Sequence, residues 1–383
     1  MICLSKRSDV DPFFAMDVLA AANKKLKDGD PVISMAIGQP AASCPMIVRE
    51  AAKRALEDGH IGYTDSLGLA RLREKIAAYY DEHHHLSISP ERIAVTTGSS
   101  AAFNLAFLTF FDVGERVAIT RPGYPAYRHI MKALGLQVVE IDTNGNGLID
   151  VEKLEEVHAH TPLKGILFAS PSNPTGASMK PDDLKNIIQF CKTHNITVIA
   201  DEIYHRLNFT CPDVTALSFS DEVTVINSFS KYYCMTGWRI GWMVLPENAV
   251  RTVERISQNL YISAPELSQI AAISAFDATA TADLEKIKDS YRINREHLKN
   301  GLPLLGLKLL APMDGAFYAY CDVSKYSNDS TEFARKMLDE TNVAATPGVD
   351  FDTVEGKRTM RFSYAGSPAE IDEALKRLKN WLL

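Results

Sequence analysis

An α/β fold with a mostly parallel central sheet flanked by helices, plus a smaller α+β domain, is what this 383-residue sequence predicts. Three observations carry the prediction. Short β-branched runs alternate with helical stretches through the middle of the chain. Several of those runs are apolar almost throughout, as suits strands buried on both faces. The length also exceeds the size at which a single core stops growing.

The candidate strands are residues 93–97, 116–120, 137–141, 165–169, 197–200, 223–227 and 240–245. Helical periodicity lies between them, as over 181–194. The last hundred residues differ. Two long charged helical patterns, 282–300 and 368–383, bracket short strands near 316–321 and 359–364. The expected division is a large α/β domain over 41–280 and a small domain made of 1–40 and 281–383. The first forty residues are expected to pack on the small domain or on a partner subunit.

Composition removes several classes of function. A net charge of -7 with no basic stripe argues against nucleic acid. The longest apolar region, 101–111, is broken by Asn104 and Thr109 and is too short to span a bilayer. No signal-peptide pattern follows the charged start, so a cytoplasmic protein without a membrane partner is expected. The six cysteines are scattered without metal-like spacing and read as free thiols in a reducing compartment.

Ligands of open α/β sheets bind beyond the carboxyl ends of the strands. Polar residues concentrate at five such ends. They are Gly98-Ser99-Ser100, the run from Arg121 to Pro125 with Tyr124, the run from Ser170 to Gly176 with Asn173, Asp201-Glu202-Ile203-Tyr204, and Ser228-Phe229-Ser230-Lys231. Lys231 is the candidate nucleophile. An amine attacks an aldehyde only when unprotonated, which needs burial or nearby positive charge, and Arg239 follows eight residues on.

Four motifs, S-x-S-K at 228–231, G-W-R at 237–239, S-N-P-T-G at 172–176 and D-E-x-Y at 201–204, together resemble the class I/II aminotransferases. These are aspartate aminotransferase-like enzymes of the pyridoxal 5'-phosphate (PLP)-dependent transferase fold type I. Motif order and spacing agree from about Ile37 to Arg361. The resemblance implies ping-pong amino transfer between an L-amino acid and a 2-oxo acid. Lys231 would hold PLP as a Schiff base, the internal aldimine, and then act as general base and acid. Asp201 would keep the pyridine nitrogen protonated; as a bare residue it also reads as a helix cap after a strand. Tyr204 and Asn173 would bond the phenolic oxygen, and Tyr124 would stack on the ring. Gly98, Ser99 and Ser100 at a helix start, with Ser228 and Arg239, would bind the phosphate. Tyr63 would reach the phosphate of a neighbouring subunit, giving a homodimer with shared active sites. Arg361 would clamp the substrate α-carboxylate, with Asn173 beside it and Gly38 passing close to the substrate.

The resemblance also bears on substrate. Aspartate-selective members carry a lysine at the position of Ser100 or a partner arginine near the position of Asn259, and both are absent here. A neutral side chain (alanine, aromatic, branched or sulfur-containing) is therefore expected. A carbon–sulfur β-lyase on the same fold is the alternative; a regulator would need an added DNA-binding module. Two further patterns read as local structure. Residues 142–150 resemble the front of an EF-hand loop, but the twelfth position is Lys153 and a strand precedes it, so a polar hairpin-like turn is expected. His83, His84 and His85 read as a solvated helix terminus, since adjacent residues do not share a helical face.

Overall fold

Two sheets organise the chain in the computed structural model, which describes residues 2–383. In chain order the strands are β1 (Ile33–Met35), β2 (Ile93–Thr96), β3 (Arg116–Arg121), β4 (Gln137–Asp142), β5 (Gly165–Ala169), β6 (Thr197–Asp201), β7 (Thr224–Ser228), β8 (Gly241–Val244), β9 (Lys308–Leu309), β10 (Tyr318–Asp322), β11 (Val343–Pro347) and β12 (Thr359–Ser363). The helices are α1 (Phe14–Lys27), α2 (Met46–Glu57), α3 (Ala70–His84), α4 (Gly98–Phe110), α5 (Pro125–Leu134), α6 (Val151–His160), α7 (Pro181–Thr193), α8 (Val250–Leu260), α9 (Glu266–Ile273), α10 (Ala278–Leu304), α11 (Ser330–Thr341) and α12 (Pro368–Leu382).

The larger sheet has the order β2-β8-β7-β6-β5-β3-β4. Its pairs are parallel from β7 through to β4, while β8 runs antiparallel to both β2 and β7. Period-two alternation explains why its central strands are buried on both faces. Ile166, Phe168, Val198, Ala200 and Val225 join one core with α7. Leu167, Ile199 and Ile226 join a second core with Phe103 and Phe107 of α4 and Met131 of α5. Burying each such large aliphatic or aromatic side chain contributes roughly 1.5–3 kcal/mol. Both faces are therefore covered, and the carboxyl ends of the strands are left free to carry the site.

The second sheet has the order β1-β11-β12-β10-β9. β1 pairs parallel with β11 in the register Ser34 to Ala344, so the N-terminal segment completes a sheet built by the C-terminal one. The remaining pairs are antiparallel. α12 starts at a capping box in which Ser367 and Glu370 satisfy each other's backbone N–H groups.

All seven strands expected in the larger sheet are present, as are both expected in the smaller one. Sequence reading did not find β1, β9 or β11. α10 extends past its expected limits, to Ala278 and Leu304. Residues 142–150 contain the expected polar turn: the Gly147 N–H donates to the Asn144 carbonyl at 2.9 Å and the Asn144 N–H to the Leu148 carbonyl at 2.7 Å. Asn144 Oδ1 accepts N–H bonds from Asn146 and Leu148, and Asp150 then caps α6 through the Lys153 N–H. His84 departs from the solvated reading, because its ring turns inward to lie 5.6 Å from that of His205. No helix among the described residues is long and apolar enough to cross a membrane.

Candidate active site

Five segments at the carboxyl ends of strands in the larger sheet converge on one cavity of about 300 Å³. β6 ends on Asp201, the turn after β7 carries Lys231, the first turn of α4 carries Ser99 and Ser100, the segment after β3 carries Tyr124, and the loop after β5 carries Asn173. The smaller sheet closes the other side with Arg361 from β12 and Tyr318 from β10. Of the residues singled out from sequence, Gly38, Ser99, Ser100, Tyr124, Asn173, Asp201, Tyr204, Lys231, Arg239 and Arg361 all line it.

Three do not. Gly98 lies behind the wall at φ +74°, and a Cβ there would sit 2.6 Å from Arg239 Nη2. Glycine is required both by the backbone and by the guanidinium that crosses it. Ser228 lies beneath the cavity rather than in its wall. Its buried hydroxyl donates to the Ile240 carbonyl at 3.0 Å and accepts from the Ser230 N–H at 3.1 Å, which fixes the turn leading to Lys231. Tyr63 is on the surface, 81% exposed.

Lys231 Nζ donates to the Gly38 carbonyl at 2.6 Å. Burial, then the nearby positive charge of Arg361, lowers its pKa to about 8, against the pull of Asp201. A useful fraction of the amine is thus unprotonated near neutral pH. Asp201 is buried, and burial raises its carboxyl to about 6. The Tyr127 hydroxyl donates a short bond to its Oδ2, and the Ile203 N–H donates to Oδ1 at 3.0 Å. The Tyr204 and Tyr318 hydroxyls lie 2.6 Å apart.

Arg361 is held on every side but one. Nη1 donates to Asn173 Oδ1 at 2.8 Å and Nη2 to the Ala36 carbonyl at 2.6 Å. The rings of Tyr318 and Phe351 lie 4.3 and 4.5 Å from Cζ. Nε is buried without a partner. The result is an oriented cationic fork facing the cavity that contains Lys231.

A second polar cluster lies behind Asp201. The buried Glu202 carboxyl accepts from Thr215 Oγ1 at 2.9 Å and the Ala216 N–H at 2.8 Å, and burial raises it to about 8. Its Oε2 faces His205 Nδ1 at 3.4 Å. Burial lowers His205 to about 3 and His84 to about 4, so both rings are neutral.

These groups fit a phosphorylated aromatic aldehyde. A lysine of lowered pKa meets the aldehyde. The α4 N-terminus with two serines, and Arg239 crossing Gly98, form an anion cradle. A buried carboxylate can face a ring nitrogen, and Tyr124 supplies an aromatic face. Sequence reading missed Tyr127 and Tyr318, and also Phe13, Ala15, Met16 and Ile37 on the apolar side of the cavity.

The family model for aminotransferase class I and II matches residues 30–378. A valine–pyruvate aminotransferase of Mycobacterium tuberculosis is 44% identical over 98% of this chain and 97% of its own. A (5-formylfuran-3-yl)methyl phosphate transaminase of Methanocaldococcus jannaschii is 34% identical over 99% of both chains. A crystal structure of an aminotransferase from M. tuberculosis superposes with a TM-score of 0.97 at 43% identity, covering 100% of this chain and 99% of that one. The aspartate aminotransferase of Thermus thermophilus with maleate gives a TM-score of 0.92 at 31% identity, covering 99% and 100%. The chain belongs to the class I and II aminotransferases, PLP-dependent enzymes of fold type I.

Proposed function

We propose that this aminotransferase moves an amino group between an L-amino acid with a neutral side chain and a 2-oxo acid, in two alternating half-reactions, with PLP held on Lys231. The observation that carries the reading is the convergence of Lys231, Asp201 and Arg361 on one cavity from two different sheets. The bound cofactor would supply an electron sink for the bond broken at the substrate Cα.

The protein's own groups then divide the work. Lys231 Nζ takes the Cα proton and returns it, as its lowered pKa allows. Asp201, oriented by Tyr127 and the Ile203 N–H, would hold the proton on the ring nitrogen. Tyr204 and Asn173 would donate to the phenolic oxygen, and Tyr124 would supply an aromatic face for the ring. Ser99, Ser100 and Arg239 would hold the phosphate, with Gly98 giving Arg239 its path and Ser228 bracing the lysine turn. Arg361 takes the α-carboxylate beside Asn173, and Gly38 lets the substrate pass close to the backbone.

The neutral side chain is supported by the apolar wall of Phe13, Ala15, Met16 and Ile37. The cations of the cavity lining, Lys231, Arg239 and Arg361, each have another task. A relative named for valine and pyruvate agrees with that choice. A homodimer with Tyr63 entering the partner's site is supported by an exposed apolar group of Ile61, Tyr63, Leu260 and Ile262. The Thr64 N–H donates to Ser263 Oγ at 3.3 Å, so the two segments lie together. We also assign the seven-stranded sheet to a large unit, 41–280, and the five-stranded sheet to a small one, 1–40 with 281–383.

The test is to mix PLP-loaded protein with single amino acids and no 2-oxo acid. About one equivalent of 2-oxo acid per subunit from alanine, valine, methionine or phenylalanine is expected. Aspartate reacting far faster than every neutral amino acid would overturn the substrate class. Continuous release of thiol, pyruvate and ammonia from a cysteine thioether, with no 2-oxo acid added, would replace transfer by carbon–sulfur lysis.

A further inference from the structure

Helix α1 begins without a local cap. Its N-cap residue is Phe13, which has no side-chain acceptor, although the first N–H groups of any helix need partners. Asp350, 336 positions away, supplies them. The Phe14 N–H donates to its Oδ1 at 3.1 Å and the Ala15 N–H to its Oδ2 at 3.0 Å. The carboxylate is 1% exposed and sits at the positive end of the helix dipole. This first turn carries Phe13, Ala15 and Met16, which form the apolar wall of the cavity.

The residues around Asp350 tie that wall to the carboxylate clamp. The Asp350 carbonyl accepts from Arg128 Nη2. Phe351, next in sequence, stacks on Arg361 and accepts the Gly123 N–H at 2.9 Å. Phe13 meets the neighbouring Tyr124 ring edge-on at 5.9 Å. One short segment thus holds both the group that faces a substrate carboxylate and the wall that faces its side chain.

We propose that Asp350 is a positioning residue for side-chain specificity, fixing the span between Arg361 and the first turn of α1. The inference rests on the amino-transfer reading above. An amino acid fixed at Arg361 and Lys231 directs only its side chain at the wall. Valine should depend on the wall and alanine should hardly reach it. Both carry the same carboxylate, so alanine controls for any change at Arg361.

Asp350→Asn keeps the volume and one acceptor but turns an NH2 group toward a backbone N–H. In PLP-loaded enzyme the KM for valine should rise about tenfold as the wall loses its fixed distance from Arg361, with kcat within about twofold. The KM for alanine should stay within about twofold. Amide exchange in the peptide spanning Phe14 and Ala15 should rise. Phe13→Ala, which leaves Asp350 in place, should reproduce the selective loss of valine and decides the matter if Asp350→Asn does not fold. Equal weakening of alanine and valine in either variant, or no change in the valine-to-alanine ratio, overturns the proposal. Wild-type enzyme that yields no 2-oxo acid from either amino acid overturns the underlying reading instead.

Discussion

Replacing Arg361 with lysine would separate charge from geometry at the substrate clamp. The guanidinium is set by bonds of 2.8 and 2.6 Å to Asn173 and Ala36 and by rings at 4.3 and 4.5 Å from Cζ. A lysine keeps the positive charge but presents one point donor in place of a planar fork. At least one of two charge-assisted bonds to a carboxylate is lost, each with a net value of about 1.5–3 kcal/mol. Since about 1.4 kcal/mol is tenfold, kcat/KM for alanine or valine should fall roughly 10- to 100-fold. The assay compares each amino acid with the matching amine that lacks the carboxylate. The amine should react equally slowly with wild type and variant, so the preference for the carboxylate collapses. An equal fall for amino acid and amine would show that Arg361 acts through the fold. An unchanged preference would refute the clamp altogether. A melting curve on the variant guards against the cost of a buried, less well bonded ammonium.

Three further outcomes follow from the same geometry. With the Lys231 pKa near 8, the rate at which cofactor-free protein captures PLP should climb with pH and level off above about 8, and Lys231→Ala should retain no PLP covalently after borohydride treatment; a pH-independent rate would contradict the lowered pKa. Glu202 has its folded pKa raised to about 8 by burial, so its contribution to stability is full below the unfolded value and is lost as pH rises through about 8. Glu202→Gln keeps the acceptor for Thr215 and Ala216, so urea unfolding should find it near wild type at pH 5 and more stable than wild type at pH 9; parallel pH curves would exclude a raised pKa. In Gly98→Ala the new methyl group displaces Arg239, and PLP affinity measured by fluorescence titration should fall about tenfold, the loss of one charge-assisted bond; unchanged affinity would remove Arg239 from the cradle.

The strands that were legible in sequence are those whose residues face two cores in alternation. β5, β6 and β7 are buried at nearly every position because neither face meets water, and β5 is apolar throughout. β1 and β9 were not legible, since three and two residues carry no period and only pairing with β11 and β10 makes them strands. The site was readable where a motif follows a strand end, as at Asn173, Asp201 and Lys231. It was unreadable where the contribution is purely tertiary. Tyr127 looks like an apolar residue of an amphipathic helix, yet its hydroxyl reaches Asp201 from 74 positions away. His84 belonged on paper to a charged helix end, and only its packing against His205 shows that it is neutral and turned inward.

The division of the cavity between two sheets bears on how such an enzyme changes its diet. Lys231 and Asp201 are anchored to the seven-stranded sheet, whereas Arg361, Tyr318 and the first turn of α1 reach the cavity from the five-stranded sheet and the helix beside it. On the proposed function, a substitution in the first turn of α1 would alter what is admitted while leaving Lys231 and Asp201 on their own sheet. In this chain a selection for new substrates would be expected to fix its first changes between Phe13 and Met16 and around Asp350, and to leave the turn from Ser228 to Lys231 alone.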